Sequence, residues 1–257
     1  MRIGAHVDST NPLTEAALRN ADVVQLFLGN PQSWDKPAAR PDAAAIRAAG
    51  IDIFIHAPYV INVATPNNRV RIPSRNLLTA QAAAAAGLGA RGIVVHGGHV
   101  PKGHDIATGI DNWRKAFERA AGNGGFATPV LIENTAGGDH ACARRFDVLA
   151  RLWDAVGEYG AGFCLDTCHA FCGGEELPGI VDRVRAITGR IDLVHANNAK
   201  DSFDSRRDRH DNLTAGTIDP DLIVDVVRRA GAPVIVETPG GAAGQTADIA
   251  YLRQRLE

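Results

Sequence analysis

A chain of 257 residues, 45% of them hydrophobic, is long enough to bury a large core as one unit spanning 1–257. Its net charge of −2 argues against a protein that wraps nucleic acid through bulk basic charge, and the lack of a long apolar run argues against a membrane span. The opening Met1-Arg2-Ile3-Gly4 has no apolar signal-peptide segment, so a soluble cytoplasmic protein is expected.

Short apolar runs recur in chain order at residues 2–7, 23–28, 51–57, 92–97, 130–134, 162–167, 192–196 and 234–238. Between them lie Ala/Leu/Arg-rich stretches that read as helices, at 77–86, 113–121, 145–156 and Pro220–Ala230. The last has Pro220 at its start and Gly231 just past its end, an ordinary helix start and stop. Strands alternating with helices predict a parallel α/β fold, and strands this continuously apolar are covered on both faces. A count of eight favours a closed (β/α)8 TIM barrel over an open sheet. No glycine-rich phosphate loop follows the first run. Cys142, Cys164, Cys168 and Cys172 are expected to be reduced thiols, because the spacing of the last three departs from a CxxC zinc hairpin.

The chemistry lies at the strand ends. Six successive apolar runs finish on His56, His96, Glu133, Asp166, His195 and Glu237. In a barrel the C-terminal strand ends share one rim, which is where active sites lie. Carboxylates crowded there would repel one another and resist desolvation, and cations relieve both problems. Mixed imidazole and carboxylate donors suit zinc or another divalent transition metal. A single histidine at a strand end is ordinarily a hydrogen-bonded rim residue; six in the same register are not a chance pattern. His169, three residues after Asp166, and the Asp208-x-His210 pair after the seventh run extend the set. Alternate residues of an extended segment face the same way, so Asp208 and His210 can share one ion.

The segments His56-Ala57-Pro58-Tyr59-Val60-Ile61-Asn62, Glu133-Asn134-Thr135-Ala136-Gly137, Leu165-Asp166-Thr167-Cys168-His169 and Asp208-Arg209-His210 resemble the endonuclease IV family, zinc-dependent apurinic/apyrimidinic endonucleases. Ile3-Gly4-Ala5-His6-Val7, His96-Gly97-Gly98 and Glu237-Thr238 extend the likeness along nearly the whole chain. The resemblance implies three zinc ions: one on His56, His96 and Glu133; a second on Glu133, Asp166, His195 and Glu237; a third on His169, Asp208 and His210. It implies Glu133 and Glu237 as catalytic residues, and a hydroxide between the first two ions as nucleophile. The substrate would be damaged duplex DNA, cut on the 5′ side of an abasic sugar to leave a 3′-hydroxyl. Trimming of blocked 3′ ends is implied as a further activity, and a monomer is expected.

By the same resemblance, Tyr59 and Val60 enter the minor groove, and the loop from Phe27 to Trp34 presents Gln32 to the DNA. Arg69, Arg71 and Arg75 follow the third run and are candidates for phosphate contacts, with a solvated loop as the plain alternative. There are departures from the family pattern: Gln32 replaces a basic wedge found in some relatives, Asn197-Asn198-Ala199 stands for Asn-Asp-Ser, and Asn212-Leu213-Thr214-Ala215-Gly216 stands for Asn-Ile-Gly-Glu-Gly. A sugar isomerase on the same barrel is the nearest rival. It often uses a catalytic lysine, and none of Lys36, Lys102, Lys115 and Lys200 ends a strand. An amidohydrolase fits less well, since the first run has His6 but no H-x-H.

Overall fold

In the computed structural model, residues 1–138 and 140–256 are described. The strands are β1 (Ile3–His6), β2 (Val23–Leu26), β3 (Asp52–His56), β4 (Gly92–His96), β5 (Val130–Glu133), β6 (Gly162–Asp166), β7 (Leu193–His195), the two-residue pieces β8 (Asn198–Ala199) and β9 (His210–Asp211), and β10 (Val234–Val236). The helices are α1 (Pro12–Leu18), α2 (Ala43–Ala48), α3 (Asn68–Gly87), α4 (Ile106–Ala121), α5 (Phe146–Val156), α6 (Thr167–Cys172), α7 (Ile180–Thr188), α8 (Pro220–Ala230) and α9 (Gly241–Leu256). β1 to β7 and β10 pair in parallel, each with its chain neighbour, and β10 closes on β1. The eight apolar runs therefore form a (β/α)8 barrel. Among the described residues no helix is long and apolar enough to cross a membrane.

Side chains alternate between the two faces of a strand. Inside the barrel Val23, Phe54, Val94, Leu131, Cys164, Leu193 and Ile235 form a buried layer of their own. On β1 the matching position is Gly4, where a Cβ would lie 1.6 Å from the Val23 carbonyl oxygen, so only glycine fits. The outward-facing strand residues join the helices in a second, larger core that includes Leu78, Trp113, Leu149, Leu152 and Val227. Fully burying one such leucine stabilises the fold by about 1.5–3 kcal/mol.

Two of the expected helices start earlier than the sequence pattern suggests. α3 begins at Asn68 rather than near Leu77, because the Asn67 side chain accepts the Arg69 backbone N–H and caps it. Pro73 inside this helix removes one backbone hydrogen bond, and the polar first turns hide the helical pattern. Arg69, Arg71 and Arg75 consequently stand on a helix and not in a loop. α4 likewise starts early, at Ile106, capped by Asp105.

The other difference is the antiparallel ribbon of β8 and β9, inserted between β7 and β10. Asn198, buried in the ribbon, donates through Nδ2 to the Leu213 and Ile218 carbonyls at 2.6 and 2.8 Å. Its Oδ1 accepts the Ile218 backbone N–H at 2.8 Å. Gly216 packs so closely that a Cβ there would lie 2.3 Å from Asn198 Oδ1. One amide thus ties the start of the ribbon to the segment that leaves it, at Leu213 and Ile218. Asn198→Ala strands three buried backbone groups and is expected to destabilise the protein by about 2–4 kcal/mol, read as a shift in the urea-unfolding midpoint.

Candidate metal centre

Two residues above the inner apolar layer, the same parity brings a second layer to the barrel axis. It consists of His6, Gln25, His56, His96, Glu133, Asp166, His195 and Glu237, one residue from each barrel strand or its end. Strand register sets His96 beside Glu133, Asp166 beside His195 and His6 beside Gln25. Six of these eight are the strand-end residues expected from the sequence. The buried apolar layer forms the floor of the ring.

Glu133 is at the centre, with no exposure. Its Oε2 lies 3.4 Å from His56 Nε2 and 3.3 Å from His96 Nε2. Its Oε1 lies 2.9 Å from His195 Nδ1 and 3.3 Å from His169 Nδ1. His195 Nδ1 is also 3.3 Å from Glu237 Oε2 and 3.8 Å from Asp166 Oδ2. His56 Nδ1 contacts the Ala57 carbonyl at 2.8 Å; donating there, it turns Nε2 inward as the basic nitrogen.

The Leu-Asp-Thr-Cys-His spacing has a local cause. Asp166 Oδ1 caps α6 by accepting the His169 backbone N–H at 2.7 Å, which fixes His169 in the first turn beside it. Asp166 Oδ2 is left to face inward, 3.7 Å from His210 Nε2. On the ribbon side, Asp208 Oδ1 is 3.0 Å from His169 Nε2 and 3.2 Å from His210 Nε2. All nine residues named from the sequence therefore meet at one mouth, in three groups joined by Glu133 and Asp166.

The electrostatics of the side chains alone are strained. Burial opposes charge on Glu133, but the imidazoles of His195 and His96 outweigh it and hold this carboxyl well below its usual range. Burial pushes Asp166 up. Burial opposes charge on His195 and His169 too, yet their partners, the neighbouring carboxylates among them, lift both well above an ordinary imidazole. His96, partly open to solvent, is pushed down by desolvation to about 4. Protons here serve as imperfect counter-charges in a space that a cation fits better.

Divalent metal fits the donors. Glu133 Oε2, His169 Nε2 and His210 Nε2 are buried and make no aligned hydrogen bond among the described residues. Native proteins rarely leave such atoms unpaired, and metal coordination satisfies them. Cys164 and Cys168 come within reach of two of the groups. Burial raises the Cys164 thiol to about 12, and the Cys172 contact, then burial, raises Cys168, so the thiolate form that ligates is disfavoured. All four cysteines are free and buried.

Three residues that the sequence reading left without a role back the ring. Gln25 Nε2 donates to Glu237 Oε1 at 2.7 Å, and Gln25 Oε1 lies 2.9 Å from His195 Nε2. Asn197 Nδ2 donates to Asp166 Oδ2 at 2.7 Å, while its Oδ1 accepts the Glu237 backbone N–H at 2.8 Å. Asn134 exchanges two hydrogen bonds with the Asp166 backbone, at 2.8 and 2.9 Å. Gln25 carried a signal: it is the one polar side chain in the run 23–28, two residues after an inward valine.

The residues expected to touch DNA are placed around the rim. Tyr59 is half exposed, its ring set edge-on to Phe27 and His56 at 5.3 and 5.4 Å. Its backbone N–H donates to the Pro31 carbonyl at 2.9 Å, which joins the loops that hold Val60 and exposed Gln32. Arg69 is exposed in the first turn of α3. Arg71 is committed within the protein: it donates to Asn112 Oδ1 at 2.6 Å and to Asn68. A cavity of 330 Å³ opens beside the ring, lined in part by Tyr59, Asn62, His96, His99, Thr135 and His169. A larger cavity of 750 Å³, with Met1 and Arg2 in its wall, has no histidine in its lining.

Fold and ring define a barrel whose mouth gathers donors that could hold metal, and the chain matches the family model described as "Xylose isomerase-like TIM barrel" over residues 13–255. It is 58% identical over 255 residues to "Probable endonuclease 4" of Mycobacterium tuberculosis (strain ATCC 25177 / H37Ra), covering 99% of each chain. It superposes on the crystal structure of endonuclease IV from Thermus thermophilus with a TM-score of 0.85 and 28% identity, covering 100% of this chain and 99% of that one. The chain belongs to the endonuclease IV family. A D-tagatose 3-epimerase-like protein, at 18% identity and TM-score 0.81 over 100% of this chain and 97% of its own, shares the fold alone.

Metal should stabilise the folded chain. Zinc at 100 times its dissociation constant adds about 2.7 kcal/mol for one site. That corresponds to a rise of about 5–10 °C in the melting temperature of a chain this size. Scanning calorimetry with added zinc, then with chelator, should show the rise and its reversal; an unchanged melting temperature would count against a metal centre.

Proposed function

We propose that this chain is a DNA-repair endonuclease that hydrolyses the phosphodiester on the 5′ side of abasic sites in duplex DNA, leaving a 3′-hydroxyl. In this reading it uses three zinc ions, acts as a monomer, and trims blocked 3′ ends as a side activity. The observation that carries the reading is the convergence of nine donors in three linked groups at one barrel mouth. Family membership supports it.

In this proposal His56, His96 and Glu133 hold one ion, and Glu133, Asp166, His195 and Glu237 a second. His169, Asp208 and His210 hold the third. When bound, the ions supply a water activated near neutral pH and positive charge against the phosphodiester oxygens. The protein's part is placement. Glu133 spans the first two groups with its two oxygens, and Glu237 closes the second beside His195. Four carboxylates against three divalent cations leave a net charge of +2, which draws an anionic backbone into a chain whose overall charge is −2.

Tyr59 and Val60, tied through Pro31 to the Gln32 loop, form one rim unit that enters the minor groove. Burial, then the charges of Glu237 and Glu133, push the Tyr59 phenol up to about 12, so it meets DNA as a neutral ring. Extruding a nucleotide costs a few kcal/mol, and less where the base is already lost, which favours abasic sites. The exposed Arg69 contacts phosphate. Arg71, already engaged by Asn112 and Asn68, contributes a positioned charge at the same edge.

A duplex with one abasic analogue tests the reading. A single nick 5′ to the lesion, lost on chelation and restored by zinc, is expected, and so is release of 3′-blocking groups. Glu133→Gln and Glu237→Gln should each lower incision by at least about 100-fold while the far-ultraviolet circular dichroism stays native. Tight binding of the lesion by zinc-loaded protein without any nick would refute the proposal.

A further inference from the structure

Gln25 is the one neutral amide in the ring of eight, and it touches three of the other members. Its Nε2 lies 2.7 Å from Glu237 Oε1 and 3.0 Å from His6 Nδ1. Its Oε1 lies 2.9 Å from His195 Nε2. The residue has no exposure to solvent. The end of the amide that faces an ionised carboxylate at 2.7 Å must be the NH2 group, since an oxygen there would repel Glu237. The other end is therefore the carbonyl oxygen, which can only accept. His195 Nε2 must then carry the hydrogen.

This has a consequence for the opposite side of the ring. A neutral imidazole with hydrogen on Nε2 has its lone pair on Nδ1. That nitrogen is the one turned toward Glu133, Glu237 and Asp166. Set among carboxylate oxygens, a lone pair is repelled unless a cation lies between them. We infer that Gln25 is a positioning residue: its carbonyl fixes His195 in the Nε2–H form, so that Nδ1 is the nitrogen offered to metal, while its amide holds Glu237 in the same group. Cys164 also neighbours the His195 ring, but its thiol, pushed up to about 12 by burial, stays protonated and is a weak acceptor beside the Gln25 carbonyl. By contrast, His56 is oriented the opposite way, with Nδ1 on the Ala57 carbonyl and Nε2 inward. The two histidines of neighbouring groups therefore present different ring nitrogens, each fixed by a neutral oxygen behind it. The inference rests on the reading of the mouth as a zinc centre and not on the identity of the DNA substrate.

The test uses zinc-loaded, 15N-labelled protein. A long-range 1H–15N spectrum of the wild type should show His195 with hydrogen on Nε2 and a hydrogen-free Nδ1. Gln25→Met keeps the length of the side chain and removes both hydrogen bonds; it should weaken zinc binding at this group by about 10- to 100-fold and lose the uniform His195 signature. Gln25→Glu retains an oxygen for His195 Nε2 and should keep that signature even where the added charge disturbs Glu237. Wild-type His195 with hydrogen on Nδ1 would overturn the assignment. So would a folded Gln25→Met protein with unchanged zinc affinity and an unchanged His195 spectrum. Should Gln25→Met not fold, the wild-type and Gln25→Glu spectra still decide. A wild type that takes up no zinc would remove the metal reading itself, whereas zinc bound with the other His195 form removes only the role of Gln25.

Discussion

A carboxylate shut away from water needs positive charge around it, and the arrangement of this molecule follows from meeting that need for Glu133. Placing a lone carboxylate in a low-dielectric interior costs several kcal/mol even after relaxation. Here four imidazoles approach its two oxygens within 2.9 to 3.4 Å. Three of those imidazoles belong to barrel strands and one to a helix capped by another ring residue, Asp166. The polar ring is thus a single electrostatic unit, in which removing any member leaves its neighbours uncompensated.

The barrel supplies the precision. Only alternate residues of each strand reach the axis, so one apolar layer and the polar layer above it are laid down by the same backbone repeat. Shifting any strand by one residue would carry its polar residue to the helix-covered outer face and bring an apolar one inward. The apolar layer beneath, from Val23 to Ile235, locks that register by packing. Neutral amides then fill the gaps between charged groups. Asn197 and Gln25 donate to Asp166 Oδ2 and Glu237 Oε1, Gln25 also meets His195 Nε2, Asn134 holds the Asp166 backbone, and none of the three adds charge of its own.

Much of this was legible in the sequence because the ring residues interrupt apolar runs at their ends, where a charged side chain stands out. The closed barrel was legible from the count and alternation of those runs. Gln25 was obscured because β2 is buried on both faces, so its inward and outward residues look alike and one polar position reads as noise. The start of α3 was obscured by Pro73 and by a first turn stabilised through the Asn67 cap instead of an apolar stripe. The ribbon of β8 and β9 escaped notice because strands of two residues have no periodicity, and a single buried amide, Asn198, organises them. Rim residues such as Tyr59 and Gln32 have no packing signature of their own, and their proposed part in binding DNA rests on family likeness and position.

The ribbon lies outside the closure of the barrel. β7 pairs directly with β10, through Val194 with Val234 and His195 with Ile235, whatever the chain does between them. The insertion brings Asp208 and His210 to the mouth without contributing a strand to the wall. A crossing of this sort is a separable module: lengthening, shortening or replacing it changes the set of donors while the hydrogen bonds that close the cylinder stay as they are. One scaffold can in this way acquire or shed an entire corner of donor side chains without a change in the wall of the barrel, and new chemistry becomes a matter of editing a detour in the chain.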